Sequence, residues 1–445
     1  MYKFPNSLYS DVRIEDVFET NISFTKGKIN KNSVTRYQAA FIRIFNGERW
    51  YYTSTSDVDN IQKEIDYLAS KARTNEGIYN HPIVRKFEVN KGKFLRFEAD
   101  DVTKVNKEEK KKLITDLFNV IEFREVIKTW GAAYIENKKI QHFFSSKGAD
   151  IVFDSQRVGI GIRVALEQDG KNLSETFMKS SDKFDDLKNQ KINLEKFISK
   201  CENFMKNSRS VVPGKYKVIL SPFAAGVFAH ESFGHKSEAD FMVEDDTMKE
   251  EWAIGKKIGA DILSIVDYGM GVGSGYVPFD DEGTKSKETY LIENGILKGR
   301  LHSASTAVSL DEDLTGNCRA VNFEYEPIVR MTSTYILPGD KTKEELFYEV
   351  KDGIYIDTIK HGSGMSTFTI APSIAYLIKD GKITDPVSIS TITGNVFETL
   401  SDVDGVSDEL ELLSLVAFHC GKNDQMGLPV GLGGPYVRVK DMNVQ

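Results

Sequence analysis

His230 and His235 stand five residues apart in the run His230-Glu231-Ser232-Phe233-Gly234-His235, and that spacing excludes a regular helix as the carrier of a shared metal ion. With 3.6 residues per turn, the second side chain would point about 140° away from the first. A π-bulge, which widens one turn, brings positions i and i+5 together and is frequent at functional sites. The pattern therefore predicts an irregular helix at Gly234, where distortion is cheapest because glycine disfavours regular helix by about 1 kcal/mol. The residue types suit a catalytic zinc. Neutral imidazole is a good Zn²⁺ ligand, and a catalytic zinc keeps three protein ligands and one water whose pKa it lowers. Glu231, next to the first histidine, is placed to take that water's proton. Two histidines leave such a site one ligand short; the plainer alternative is that both merely pack or cap a helix.

The chain of 445 residues, 40% hydrophobic, can bury a sizeable core and is expected to split into two domains. Its 58 basic and 66 acidic residues give a net charge of −8, which argues against general nucleic-acid binding. The opening Met1-Tyr2-Lys3-Phe4-Pro5-Asn6 leads into charged sequence without the apolar region of a secretory signal. The longest apolar run, Pro222 to Ala229, is too short to cross a bilayer. Three widely spaced cysteines, Cys201, Cys318 and Cys420, fit a reducing compartment, so a cytoplasmic protein without membrane attachment is expected.

The expected fold class is α+β. Residues 1–208 read as an N-terminal domain of hairpins and helices, and residues 209–445 as a mainly antiparallel β domain carrying the metal-binding helix. Tyr37 to Ser54 has two strand-like halves around Asn46-Gly47, a dipeptide suited to a tight type I′ turn. Ser56 or Asp57 then caps a helix through Ile61, Ile65, Leu68, Ala69 and Ala72. Lys107 to Lys112 leads into a second helix with Leu113, Ile114, Leu117, Phe118 and Ile121 on one face, its basic start read as solvated. Glu125 to Phe144 and Val158 to Phe177 read as two further hairpins, the latter turning at Asp169-Gly170. Cys201 falls on the apolar stripe of Leu194, Phe197, Ile198 and Met205, which makes it a core residue. The polar stretch Lys206 to Pro213 marks the domain boundary. After a strand at Tyr216 to Leu220, Ser221-Pro222 is a strong helix start, placing the histidine motif on the helix that follows.

The extended string His230-Glu231-x-x-Gly234-His235-x-x-Glu238-x-Asp240 resembles the signature of the TldD/PmbA family of metallopeptidases, also known as modulators of DNA gyrase. Further family-like blocks follow in order: Pro278 to Gly283, Leu291 to Gly295, Thr315-Gly316-Asn317, Pro327 to Thr332 before Pro338-Gly339, Gly394-Asn395, Cys420-Gly421-Lys422 and Leu428 to Gly431. The resemblance implies a zinc peptidase whose metal is held by His230, His235 and Cys420, one ion per active subunit. Cys318 is the rival third ligand, at a position where the family does not require cysteine. It further implies that Glu231 is the general base for the metal-bound water, and that Glu238 and Asp240 support the ligands from behind. Keeping the histidine motif places the chain with the TldD-like active half of the family. Such a subunit is expected to pair with a PmbA/TldE-like paralogue or with itself, enclosing the metal in a chamber open to unfolded or short peptides. The alternative is a non-catalytic, metal-stabilised scaffold or regulatory subunit, which would need no base at Glu231.

Other strings carry weaker readings. Gly269 to Gly275 fits neither glycine-rich phosphate-binding pattern and reads as a turn or active-site loop. Asp280-Asp281-Glu282-Gly283 lacks calcium-loop spacing and reads as a turn or a rim facing substrate. His419 could support an oxyanion or simply pack. Asn423-Asp424 departs from the glycine expected after Cys-Gly-Lys, which leaves that loop's conformation open.

Overall fold

The computed structural model describes residues 2–364 and 366–445. Seven strands build the N-terminal sheet: β1 (Tyr9–Thr25), β2 (Lys28–Phe45), β3 (Trp50–Thr55), β4 (Lys91–Phe94), β5 (Ile127–Ser145), β6 (Asp150–Gln168) and β7 (Lys171–Ser181). They run in the order β3-β2-β1-β5-β6-β4, with β7 also paired to β6. Period-two alternation gives this sheet apolar faces. Helix α1 (Ile61–Lys71) covers one patch, packing Ile61, Ile65 and Leu68 on Val12, Ala40 and Ile42. Of the helices that follow, α2 (Pro82–Lys86), α3 (Lys107–Thr115), α4 (Phe118–Glu122) and α5 (Lys191–Asn207), the last three pack on β5 and β6. Cys201 is fully buried there, as its helical stripe predicts.

Four expectations for this half need correction. The turn after β2 is not a two-residue type I′ turn: Phe45 pairs with Trp50, leaving four residues, and Asn46 Oδ1 accepts the amides of Glu48 and Arg49 at 2.9 and 2.8 Å. The side chain of Asn46 thus closes a wider loop. Glu125 to Phe144 is not a hairpin but lies mostly on the single strand β5. Its polar middle stays extended because Lys138 reaches Asp101 at 3.2 Å and Lys139 reaches Glu15 at 3.5 Å. The second helix breaks between α3 and α4, which lets Phe118 meet Phe24 and Trp130 edge-on. Its basic start is not wholly solvated: Lys110 is buried, 2.6 Å from Glu136. The hairpin at Asp169-Gly170 forms as expected, with Gln168 paired to Lys171 and both turn residues at positive φ.

In the C-terminal half, β8 (Arg209–Ser210) and β9 (Gly214–Leu220) belong to an eight-stranded sheet. Within it Asp352–Gly364, β9, Val437–Val444, Ile392–Asn395 and Thr367–Lys379 form a closed ring, because the first strand also pairs with the last. A six-stranded sheet, in which Ser333–Ile336, Gln425–Gly434 and Glu411–Lys422 are neighbours, faces it. Between the two runs α6 (Pro222–Ala229), with Ala224 to Ala229 all buried. The close approach requires Gly226, whose Cβ would sit 2.4 Å from the Gly433 amide nitrogen. Among the described residues no helix is long and apolar enough to cross a membrane.

Asp280 to Gly283 knits the two halves together. Asp281 lies 3.1 Å from Arg13 on β1, and Glu282 lies 3.1 Å from Arg43 on β2, both pairs almost fully buried. Asp280 accepts the amides of Glu282, Thr284 and Cys318 at 3.0, 2.9 and 3.0 Å. The stretch is therefore a buried turn, and its carboxylates are committed to these partners. Gly269 to Gly275 is likewise a packed turn: a Cβ on Gly275 would meet Ser333 Oγ at 2.0 Å.

Candidate metal centre

Ser221 begins the metal-bearing helix as the sequence predicts, its Oγ accepting the Ala224 amide at 3.1 Å, with Pro222 in the first turn. The helix runs as regular α to Ala229, becomes a π-helix over His230–Gly234, and tightens to 3₁₀ over His235–Ser237. The widened turn is what the five-residue spacing demands, and it brings the two imidazole centroids to 5.1 Å. Gly234 itself keeps an ordinary helical backbone, with φ −56°. Its role is spatial, because a Cβ there would lie 2.1 Å from Met331 Sδ.

Cys420 arrives on the strand Glu411–Lys422, and its Sγ lies 3.5 Å from His235 Nε2. The ligating atoms of His230, His235 and Cys420 all lie within 4.8 Å of one another, with His230 and Cys420 buried. Behind them, Glu238 Oε2 is 3.4 Å from His235 Nδ1 and 3.0 Å from Lys422 Nζ. Lys422 also reaches both Asp240 oxygens at 2.6 and 2.8 Å. With Nδ1 directed at a carboxylate, His235 presents Nε2 toward the cluster.

The electrostatics are strongly coupled. Burial works to raise the Cys420 thiol, but His230 and His235 outweigh it and bring it down to about 5. Burial works to lower His235, yet Cys420 and Glu238 lift it to about 10. The trio thus offers a thiolate and two ring nitrogens, His235 giving up a proton as an ion binds, a donor set that fits zinc. Glu231 is raised from its ordinary value chiefly by burial. Among the described residues its carboxylate makes no hydrogen bond or ion pair, while the charges of His230 and His235 work to lower it. Gly362 and Gly364 lie against it; a Cβ on Gly362 would come within 3.0 Å of Glu231 Cγ.

Residues 213–445 match the PmbA/TldA metallopeptidase C-terminal domain, and residues 10–75 match PmbA/TldA metallopeptidase domain 1. The chain belongs to the PmbA/TldA metallopeptidase family. It is 31% identical over 440 residues to a metalloprotease of Methanocaldococcus jannaschii, covering 97% of this chain and 95% of the relative. A zinc metalloprotease TldD homolog of Saccharolobus solfataricus is 28% identical, covering 98% and 96% of the two chains. The solved structure of TldE from Thermococcus kodakarensis superposes with a TM-score of 0.78 over 98% of this chain and 96% of that one, at 15% identity, which speaks for the fold alone. This family member is a metallopeptidase.

Of the sequence-derived residues, His230, Glu231, His235, Glu238, Asp240 and Cys420 all come together in the metallopeptidase. Cys318 does not join them: it is buried beside Asp280 and Glu282, and its thiol is raised well above the ordinary value, first by burial. His419 has an exposed side chain and lies outside the cluster. The doubtful Asn423-Asp424 pair forms a two-residue turn, with Asn423 at φ 51° and Lys422 paired to Gln425. Sequence reasoning gave no role to Lys422, Met331, Gly362 or Arg330, whose guanidinium donates to the Cys420 carbonyl at 2.9 Å. Lys422, Met331 and Arg330 lie inside recognised blocks, so a signal for them existed. Nothing in the sequence singles out Gly362.

Proposed function

We propose that the chain is a zinc-dependent peptidase acting on unfolded or short peptides inside an enclosed dimer chamber. The observation that carries this reading is the convergence of two imidazoles and one cysteine sulfur within 4.8 Å, with the Glu231 carboxylate beside them. His230, His235 and Cys420 are the residues that would hold the ion. When bound there, zinc supplies Lewis acidity: it polarises the scissile carbonyl and lowers the pKa of water.

The chain's own groups do the rest. Glu231 accepts the proton of the attacking water on its carboxylate and passes it to the leaving amine nitrogen; its raised pKa suits both transfers. Glu238 orients His235 through Nδ1, while Lys422, gripped by Asp240, neutralises the buried Glu238 carboxylate. Gly362 and Gly364 keep side chains away from Glu231. A non-catalytic, metal-stabilised scaffold is the competing reading. The Glu231 carboxylate, which makes no hydrogen bond or ion pair among the described residues, favours catalysis, since a purely structural zinc closes its fourth position with protein and needs no base.

The likeness to TldE motivates a partner of that kind, with pairing to a second copy as the other arrangement. Replacing Glu231 with Gln should leave zinc content unchanged by elemental analysis while abolishing cleavage of a fluorogenic peptide. Cleavage at the wild-type rate would refute the mechanism. Sedimentation of the chain alone and mixed with a TldE-like subunit tests the pairing.

A further inference from the structure

A cavity of about 380 Å³ lies between the N-terminal sheet and the C-terminal half, lined by β1, β5 and β6 on one side and by the Asp280 turn, Arg319 and Gly427 to Pro429 on the other. Its charges are unevenly matched. Glu15 is paired with Arg13 at 3.2 Å and Lys139 at 3.5 Å, and Asp281 with Arg13 at 3.1 Å. Glu19 accepts from Asn137 at 2.9 Å, and Asp280 accepts three backbone amides. The two guanidiniums on the wall have no such match. Among the described residues neither Arg157 nor Arg319 forms an ion pair, and Arg157 Nε is buried without any hydrogen-bond acceptor.

Arg319 is buried and Arg157 half-buried with its Nε shielded from water. The nearby acids Glu19 and Asp281 are bonded to Asn137 and Arg13, so an arriving anion would offset the cost of the two like charges. Arg319 is 7% exposed and fixed in place, donating to the carbonyls of Met331 and Pro429. Burial brings both guanidiniums down to about 10, opposed by Glu19 at Arg157 and by Asp281 at Arg319. Such a pair fits a carboxylate, whose two oxygens match the guanidinium fork.

The cavity adjoins the metal-bearing strand. Leu428 and Pro429 on its wall pair with Cys420 and His419. Arg319 holds the carbonyl of Met331, whose sulfur packs on Gly234 of the histidine motif. We propose that Arg157 and Arg319 form a carboxylate-binding subsite of this peptidase, taking the C-terminal carboxylate or an Asp or Glu side chain of a peptide. This rests on the peptidase reading and adds a substrate preference to it.

The test compares matched peptides: one with a free C-terminus and its C-terminal amide, and one bearing Glu and its Gln isostere. The wild-type enzyme should favour the carboxylate member of at least one pair in kcat/KM by about tenfold, the worth of one charge-assisted hydrogen bond. Which pair responds identifies the source of the carboxylate. In Arg157→Met the ratio within that pair should fall toward one, and Arg157→Lys should restore part of it. A ratio of one in the wild type, or an unchanged ratio in Arg157→Met, overturns the subsite. Because each ratio is internal to one protein sample, partial misfolding cannot imitate the result. Calorimetric binding of the same peptides to Glu231→Gln separates the two readings: a carboxylate preference in binding with no cleavage by the wild type would sink the peptidase reading and leave the subsite standing. No preference in binding would sink the subsite.

Discussion

Cys420 should be a thiolate at neutral pH in the protein stripped of metal by chelation, and this can be tested directly. Its pKa of about 5, against 9.0 for an ordinary thiol, reflects stabilisation by the imidazoles that outweighs burial by a net amount on the order of 5 kcal/mol. At pH 7 a thiol titrating there is about 99% ionised, against about 1% at the ordinary value. Ultraviolet thiolate absorbance of the metal-free protein, with Cys420→Ser as the blank, should therefore titrate near pH 5. Cys201 is raised to about 12 and Cys318 is also raised, each chiefly by burial, so neither contributes in that range. His230 contributes most to this depression and His235 next, so removing the second partner with His235→Ala should carry the midpoint upward. The same pair sets a stability window for the metal-free fold. The depressed Cys420 contributes fully above 9.0 and weakens as pH falls toward about 5; the raised His235 contributes fully below 6.5 and weakens as pH rises toward about 10. The pair therefore stabilises most between 6.5 and 9.0. A wild-type midpoint near 9, or one that His235→Ala leaves in place, would refute the coupling.

Cys420→Ala should lower zinc content to a small fraction of one per chain by elemental analysis, whereas Cys318→Ala should leave it unchanged. Gly362→Ala places a methyl group 3.0 Å from Glu231 Cγ, and the displaced base should lower kcat by about tenfold at unaltered zinc content. Glu175 on β7 is raised to about 7, first by burial, so the native state binds the proton more tightly than the unfolded chain and stability falls as pH rises from 4.5 to about 7. Glu175→Gln should then raise the thermal midpoint at pH 8, by at most ~3 kcal/mol of stability, with the advantage disappearing below pH 4.5. An equal gain at both pH values would point to packing.

Local signals in the sequence located those elements whose physics is local. The Ser221-Pro222 start, the Asp169-Gly170 turn and the apolar stripe around Cys201 depend on residues within a few positions of one another, and each folds as expected. The errors occur where distant partners decide. β1 and the first half of β2 were not anticipated, because β1 carries Arg13, Glu15 and Asp16 among its apolar residues and Lys28 to Arg36 of β2 is largely exposed and polar. Two of those charges are buried and matched from elsewhere: Arg13 sits against Glu15 and Asp281. A strand whose charged residues are neutralised by a turn some 270 residues later cannot be recognised by hydrophobic alternation. Lys110 and Lys138 mislead for the same reason, since each looks solvated until Glu136 and Asp101 are seen to receive them.

At the metal centre the sequence reveals the donors but not what holds them. The five-residue spacing of the histidines can be explained from one turn of backbone, and so the widened helix was predictable from His230 and His235 alone. The link from His235 to Cys420 spans 185 positions and that from Asp240 to Lys422 spans 182, and neither has a local signature. Lys422 is the more telling of the two. It lies two residues from the thiolate on the same strand, and it meets Glu238 and Asp240 on the segment that continues from the histidines. One ammonium therefore fixes the register between the strand carrying the sulfur and the helix carrying the imidazoles, while cancelling charge on the carboxylate that orients His235. A lysine two residues from a cysteine reads as a solvated charge by any composition rule. Here it is 4% exposed, and the placement of Cys420 opposite His235 depends on it.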